Sequence, residues 1–536
     1  MLDIIIKEGY VVNGTGNPWY KADIGIKEDR INKMGSITGE SKRVISADNL
    51  FVCPGFIDIH SHSDFSLLIN PLAESKIRQG VTTEVIGNCG NSAAPLNDDV
   101  KENLRKSNSL VIEAEIDLNW ITMREYFDRL KTQGIALNVA ALIGHGTIRA
   151  NVMGFENRPP RKSESEEMKT LTEKAMEDGA FGLSSGLIYP PSCYASANEL
   201  TELSRVVTKL GGIYTSHIRG EGATLIDSVK EAITIGSEAS IPVEISHHKV
   251  MGKTNWGQVN ESLKMIEDAR ERGVDVTCDA YPYVASSFSL RAMLPPWAHQ
   301  GGVNQLVNRL KNSEDRMRME RDMLNSLPDW SSPLSVADWG DTIITGCRYH
   351  EEYEGRNIAE IAQENEVSPF KQTFDLLIED PSISVVRFSM NEEDVQTVMQ
   401  SPYMMVGTDG YSLAPYGVLG KGKPHPRSYG TYPRILGRYV RERNTITFEE
   451  AVRKMSSLPA LKLGLKSRGL LLPGMFADIV VVNRKNVLDN ATFSKPHHYP
   501  KGIEYVLVNG KVVIERGEHT RTLVGEVLNL QEEIRA

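Results

Sequence analysis

The stretch that decides the fold is PGFIDIHSHSD, Pro54–Asp64. Phe56, Ile57 and Ile59 surround one carboxylate, Asp58, and the run leads straight into His60-Ser61-His62. In an extended chain, residues two apart point to the same side, so both imidazoles face one way at the end of a strand. A single His-x-His pair suits a packed or capping role as well as a metal. Its meaning therefore depends on what other strands bring beside it.

Seven further runs of the same kind follow: TTEVIGNCG from Thr82, LNVAALIGHG from Leu137, GAFGLSSGL from Gly179, GIYTSHIRG from Gly212, IPVEISHHK from Ile241, VDVTCDAYPY from Val274 and YMMVGTDG from Tyr403. Continuous apolar runs suit strands buried on both faces of a parallel sheet. Amphipathic segments separate them. Ser163 and Glu166 are placed as a capping box ahead of Met168, Leu171 and Ala175, and a second helix is expected over 199–210, stopped by Gly211-Gly212. Eight strands alternating with helices predict a (β/α)8 barrel. An open doubly wound sheet shares the alternation, but the glycine-rich phosphate fingerprint is absent after the first strand.

Two regions fall outside this pattern. Short strands with Gly and Asn turns occupy residues 1–54 (DIIIKEGYVV, DIGIKEDRINKMG) and recur in 470–536 (FADIVVVN, IEYVLVNGKVVIERG), predicting one β domain assembled from both ends of the chain. The barrel then spans 55–469. Between strands seven and eight, residues 286–348 hold a Pro-Pro-Trp turn and a charged helical stretch over 303–326, read as a helical insertion or lid above the barrel.

The 536 residues, 40% hydrophobic and 24% charged, can bury a large core. A net charge of −10 with no basic run gives no electrostatic reason to bind nucleic acid or an anionic membrane. No run approaches ~18 apolar residues, and the three isoleucines near the start are too few for a signal-peptide core. Five scattered cysteines argue against a disulfide framework and for a reducing cytoplasm.

A barrel gathers the C-terminal ends of its strands at one rim, where active sites form. His60 and His62 end strand one, Cys89 follows strand two, His217 ends strand five, His247 and His248 end strand six, and Asp409 ends strand eight. Imidazole, thiolate and carboxylate are the ligand set of zinc, and such a cluster without a cation would leave buried charge unpaired. One or two divalent metals account for the convergence. His145, after strand three, is read as a turn or supporting residue.

PGFIDIHSHSD, the histidines ending strands five and six and the aspartate ending strand eight resemble the amidohydrolase superfamily. Within it, GNCG, SSGLIYPP, TSHIRGEG, ISHHK, DAYPY, GTDG and KPHPRSYGTYPRILG resemble the N-acyl-D-amino-acid deacylases, over nearly the whole chain from Asp3 to about Gly510. The resemblance implies a metal-centred barrel, a β-sandwich from the two termini and a late insertion. It implies that Cys89, His217 and His247 hold a tight Zn2+, that His60 and His62 form a weaker second metal position, and that Asp409 is the catalytic carboxylate. His247 is preferred to His248 because Lys249 then falls at the family's substrate-binding lysine; adjacent side chains on a strand face opposite ways, so only one serves. Lys249 and Arg427 would anchor a free carboxylate, with Tyr281, Tyr283, Ser287 and Tyr189 lining the pocket. The implied reaction is hydrolysis of a small-molecule N-acyl-D-amino acid by metal-activated water, with Asp409 moving the proton. Hydrolysis of a cyclic amide or dipeptide at the same site, or a non-catalytic scaffold, are the rival readings. A basic pocket residue would favour acidic D-residues and an apolar wall D-methionine, D-leucine or D-phenylalanine; the expectation is apolar or broad. Oligomeric state is left open.

Overall fold

The computed structural model describes residues 1–327 and 330–535. Each of the eight apolar runs contains a strand: β1 (Phe56–Asp58), β2 (Val81–Ile86), β3 (Asn138–Ala141, continuing as Ile143–Gly144), β4 (Gly182–Gly186), β5 (Ile213–His217), β6 (Val243–Ile245), β7 (Val276–Ala280) and β8 (Met404–Val406). Neighbours pair in parallel in chain order, β1 to β2 to β3 and then β3 through β8. A parallel bridge between Ser61 and Gly410 joins the last strand back to the first, which closes the ring. Every residue of these strands is buried, as a barrel clothed in helices requires.

The helices obey the patterns that predict them, with shifts at their ends. The helix expected after Ser163 spans Lys162–Asp178, and its N-terminus is held by the Glu164 carboxylate accepting from the Arg161 amide at 2.6 Å, two residues ahead of the Ser163–Glu166 pair. The next runs Ala197–Lys209, capped by Ser196, whose hydroxyl accepts from the Glu199 amide. The stretch over 303–326 is two helices, Val303–Lys311 and Ser313–Asn325, broken at Asn312, which caps the second.

The two termini share one nine-stranded hydrogen-bonded sheet. Its seam is the antiparallel pairing of Phe51–Pro54 with Ile479–Val482, in which Val52 faces Val481. Alternation gives this sheet two buried faces. Ile479, Val481 and Leu507 enter a core with Ile4, Ile6, Ile24 and Ile26, whereas Val480, Val482, Val506 and Val508 pack against the barrel.

The insertion between β7 and β8 is larger than the expected 286–348 and is not purely helical. Ala285–Ser289 pairs with Ser384–Phe388, which pairs with Thr342–Gly346, forming an antiparallel sheet whose far strand lies 36 residues beyond that boundary. The sheet and its helices enclose a separate core of Leu290, Met293, Leu306, Ile344, Phe374 and Val385. TIITG and SVVRF carry the β-branched signal for these strands.

Candidate active site

The rim is built first by alternation. In His60-Ser61-His62-Ser63, the two histidines face the site, while the Ser61 and Ser63 hydroxyls turn away and donate to the buried Glu84 of β2 at 2.7 and 2.8 Å. The preceding Asp58 accepts from Lys76 (2.6 Å) and from the Thr408 hydroxyl (2.7 Å), which ties β1 to the loop carrying Asp409. The Cys89 turn is held from both sides. Ser184 donates to the Gly87 carbonyl (2.5 Å) and accepts from the Gly90 amide (3.0 Å). Gly87 has φ +78°, and a Cβ there would meet the Leu142 carbonyl oxygen at 2.1 Å, so this bend requires glycine.

Three of the converging residues are themselves left-handed: Cys89 (φ 52°), His247 (φ 36°) and Asp409 (φ 49°). Non-glycine residues in this region cost of order 1–3 kcal/mol each and concentrate at functional sites. Here the backbone reverses at the rim and swings each side chain inward over the barrel mouth.

Six side chains meet there in two groups that share Cys89: His60, His62, Cys89 and Asp409, and Cys89, His217 and His247, with the candidate ligand atoms of each group within 4.8 Å of one another. Cys89 Sγ lies 3.3 Å from His60 Nε2 and 3.5 Å from His247 Nε2. His247 Nε2 is 2.7 Å from His217 Nδ1, and His62 Nε2 is 2.9 Å from Asp409 Oδ1. His248 points away, its Nε2 on the Ser262 hydroxyl at 2.8 Å, and burial pushes its ring down to about 4. His145 is outside the cluster, between Ser192 and Glu199.

The donor set fits a divalent cation. His60 turns its other ring nitrogen, Nδ1, onto the Asp279 carboxylate at 3.0 Å, an arrangement that fixes tautomer and ring orientation in metal-ligating histidines and leaves Nε2 free to ligate. His247 Nδ1 lies between the Glu221 carboxylate at 3.0 Å and the Lys249 ammonium at 2.8 Å. Burial raises the Cys89 thiol, but the neighbouring His60 and His247 more than reverse this and hold it well below the ordinary thiol range. Cys53 and Cys278, equally buried but without such neighbours, are pushed up. Burial also raises Asp409, while Arg427, His247 and His62 bring its carboxyl well below the usual range.

Asp279 and Glu221 were not among the residues singled out in the sequence. Both were visible: Asp279 stands in CDAYPY on a strand with no polar face to solvent, and Glu221 follows His217 by four residues. What identifies them is the demand of each ligating histidine for an acceptor behind it, which composition alone does not reveal.

A cavity of about 730 Å³ lies over the cluster, walled by the barrel rim and the insertion. Lys249, Arg427, Tyr281, Ser287 and Tyr189 line it. Lys249 is paired with Glu221 (2.5 Å), and Arg427 Nη1 is 2.7 Å from Asp409 Oδ2 without the alignment of a hydrogen bond, which leaves donor capacity on the guanidinium. The buried Tyr281 hydroxyl has no partner among the described residues. Tyr283 departs from its expected place in the pocket. It is absent from the lining of this cavity, its ring packing edge-on to His425 and Phe493 under the Arg434 guanidinium.

A parallel barrel with histidines, a thiolate and an aspartate converging at its C-terminal rim defines a metal-dependent hydrolase of the amidohydrolase type. The chain belongs to the amidohydrolase family, whose model matches residues 43–310 and 388–514. It is 36% identical to the D-aminoacylase of Alcaligenes xylosoxydans xylosoxydans over 527 residues, covering 98% of this chain and 97% of that one. It is also similar to the crystal structure of N-acyl-D-glutamate deacylase from Bordetella bronchiseptica, complexed with zinc and a phosphonate mimic of the tetrahedral intermediate (33% identity, 98% and 99% of the two chains, TM-score 0.83). A solved D-aminoacylase with a binuclear metal centre matches at 36% identity, 99% and 100% coverage and TM-score 0.82. Within the family model's span, the unmatched residues 311–387 fall inside the insertion.

Proposed function

We propose that this chain is a zinc-dependent deacylase that hydrolyses N-acyl-D-amino acids to a carboxylic acid and a free D-amino acid. The observation that carries the reading is the pair of three- and four-residue clusters sharing Cys89, with Asp409 at their edge facing the cavity. Relatives with N-acyl-D-amino-acid deacylase activity over essentially the whole chain support the substrate class.

Cys89, His217 and His247 would hold the tight Zn2+, and His60 and His62 with Asp409 the weaker second position. When bound, zinc supplies Lewis acidity that lowers the pKa of water and polarises the scissile carbonyl. Asp409, whose Oδ1 faces His62 and Oδ2 faces Arg427, accepts the proton of the attacking water and passes it to the departing nitrogen. Asp279 holds His60 in its tautomer, and Glu221 neutralises the Lys249 ammonium beside His247. Arg427 and Lys249 anchor the free carboxylate, with the unpartnered Tyr281 hydroxyl as a neutral donor and Ser287 and Tyr189 as walls. No acyl-enzyme is needed. Among the described residues no helix is long and apolar enough to cross a membrane. Five scattered, unpaired cysteines suit a reducing cytoplasm.

The test is turnover of N-acetyl amino acids supplied as separate enantiomers. Hydrolysis confined to the D series is expected; equal or greater turnover of the L series contradicts the reading.

A further inference from the structure

We propose that Arg291 forms a subsite for a second carboxylate, so that the substrates are N-acyl derivatives of acidic D-amino acids. The inference rests on the deacylase reading above and narrows its substrate class.

Arg291 lies in the short turn Leu290–Met293, directly after the insertion strand that carries Ser287, and it lines the cavity. Among the described residues its guanidinium makes no ion pair and no side-chain hydrogen bond. Burial pushes it down, and the phenol of Tyr189 is the sole group opposing that. Five of the six other Lys and Arg side chains lining the cavity stand in ion pairs, and two of those five, Lys249 and Arg427, are the pair assigned above to the α-carboxylate. Lys249 pairs with Glu221, Arg427 with Asp409, Arg219 with Glu231 (2.9 Å), Arg348 with Asp380 (3.0 Å) and Lys421 with Glu113 (2.8 Å). Arg387, without an ion pair, is held by the Met293 sulfur and the Ala337 carbonyl.

His299 supplies an independent observation. It is 7% exposed, lines the same cavity, and its Nε2 has no partner among the described residues. Burial and the adjacent Arg291 push its ring down to about 3, so it stands as a neutral hydrogen-bonding group beside the guanidinium.

The same cavity reaches the reacting centre. Tyr189 lines it with its ring 5.0 Å from that of His217, and Cys89, His217, His247 and Asp409 line it together with Arg291. Arg291 is half-buried on the cavity wall, and a carboxylate entering the cavity can meet its guanidinium with two parallel hydrogen bonds. An apolar D-side chain would leave the cation unpaired. The proposal departs from the expectation of an apolar or broad pocket.

The experiment compares kcat/KM for N-acetyl-D-glutamate and N-acetyl-D-aspartate with that for N-acetyl-D-methionine and N-acetyl-D-leucine, in wild type, Arg291→Met and Arg291→Lys. The wild-type ratio of the better acidic to the better apolar substrate is expected to be about 100 or more, and Arg291→Met to lower it about 100-fold through KM. Arg291→Lys should retain part of the preference. A wild type that turns over apolar D-substrates as well as acidic ones overturns the inference alone, leaving the deacylase reading intact. So does an unchanged ratio in folded Arg291→Met; should that variant not fold, the wild-type ratio and Arg291→Lys decide. Absence of turnover for all four D-substrates overturns the deacylase reading, and the subsite with it.

Discussion

Asp409→Asn is expected to lower kcat by about 10³-fold or more while leaving bound zinc at the tight position. A positioned general acid–base contributes about 10²–10⁴-fold, and Asp409 is asked to serve in both directions, as base toward water and as acid toward the leaving amine. Asparagine keeps the size of the side chain and its acceptor oxygen toward His62, but it cannot take up the proton. The tight cluster of Cys89, His217 and His247 does not include Asp409, so its metal should remain. Steady-state kinetics paired with metal analysis of the variant checks both halves. Retained kcat would remove Asp409 from the mechanism, and loss of all zinc would make it a ligand of the tight site instead.

Cys89→Ala is expected to lose zinc and activity together. Four-ligand structural zinc sites bind with about 10–16 kcal/mol at pH 7, so an equal share per ligand is about 2.5–4 kcal/mol, or about two to three orders of magnitude in affinity. The loss should be larger here because Cys89 belongs to both clusters and is the one thiolate among imidazoles. Alanine occupies the same left-handed position as readily as cysteine does, so the backbone change is small. Cys53→Ala serves as the comparison: a buried cysteine whose thiol is pushed up by its surroundings should be lost with zinc content unchanged. Equal zinc content in Cys89→Ala and wild type would return Cys89 to a packing role.

The barrel was legible because its eight strands are apolar runs that end in chemistry-bearing residues, and a parallel sheet buried on both faces leaves that pattern in the chain. Alternation in the sequence says only that one of His247 and His248 faces the site, and the preference for His247 rested on the place of Lys249 in the resembled motif; in the structure His247 joins the cluster and His248 turns to Ser262. The terminal sheet was legible from short strands at both ends, and its pairing through Val52 and Val481 required the structure. Three features were hidden for definable reasons. The insertion sheet joins strands almost a hundred residues apart, and long-range antiparallel pairing leaves no local mark. Asp279 and Glu221 act through histidines, so they matter only once ring orientations are known. Tyr283 has the residue type of a pocket donor, but its ring packs against His425 and Phe493, which only the folded chain brings beside it. Arg291 was hidden for the opposite reason: an arginine in a charged insertion is ordinary until its partners are counted.

The central claim is that hydrolysis depends on zinc held at the shared cluster. It is tested most directly by measuring zinc content and hydrolysis of the preferred N-acetyl-D-amino acid on one sample, before chelation, after chelation and after zinc is returned. The account predicts at least one zinc per chain, activity that disappears with it and activity that returns with it. Full hydrolysis by protein stripped of metal would contradict it.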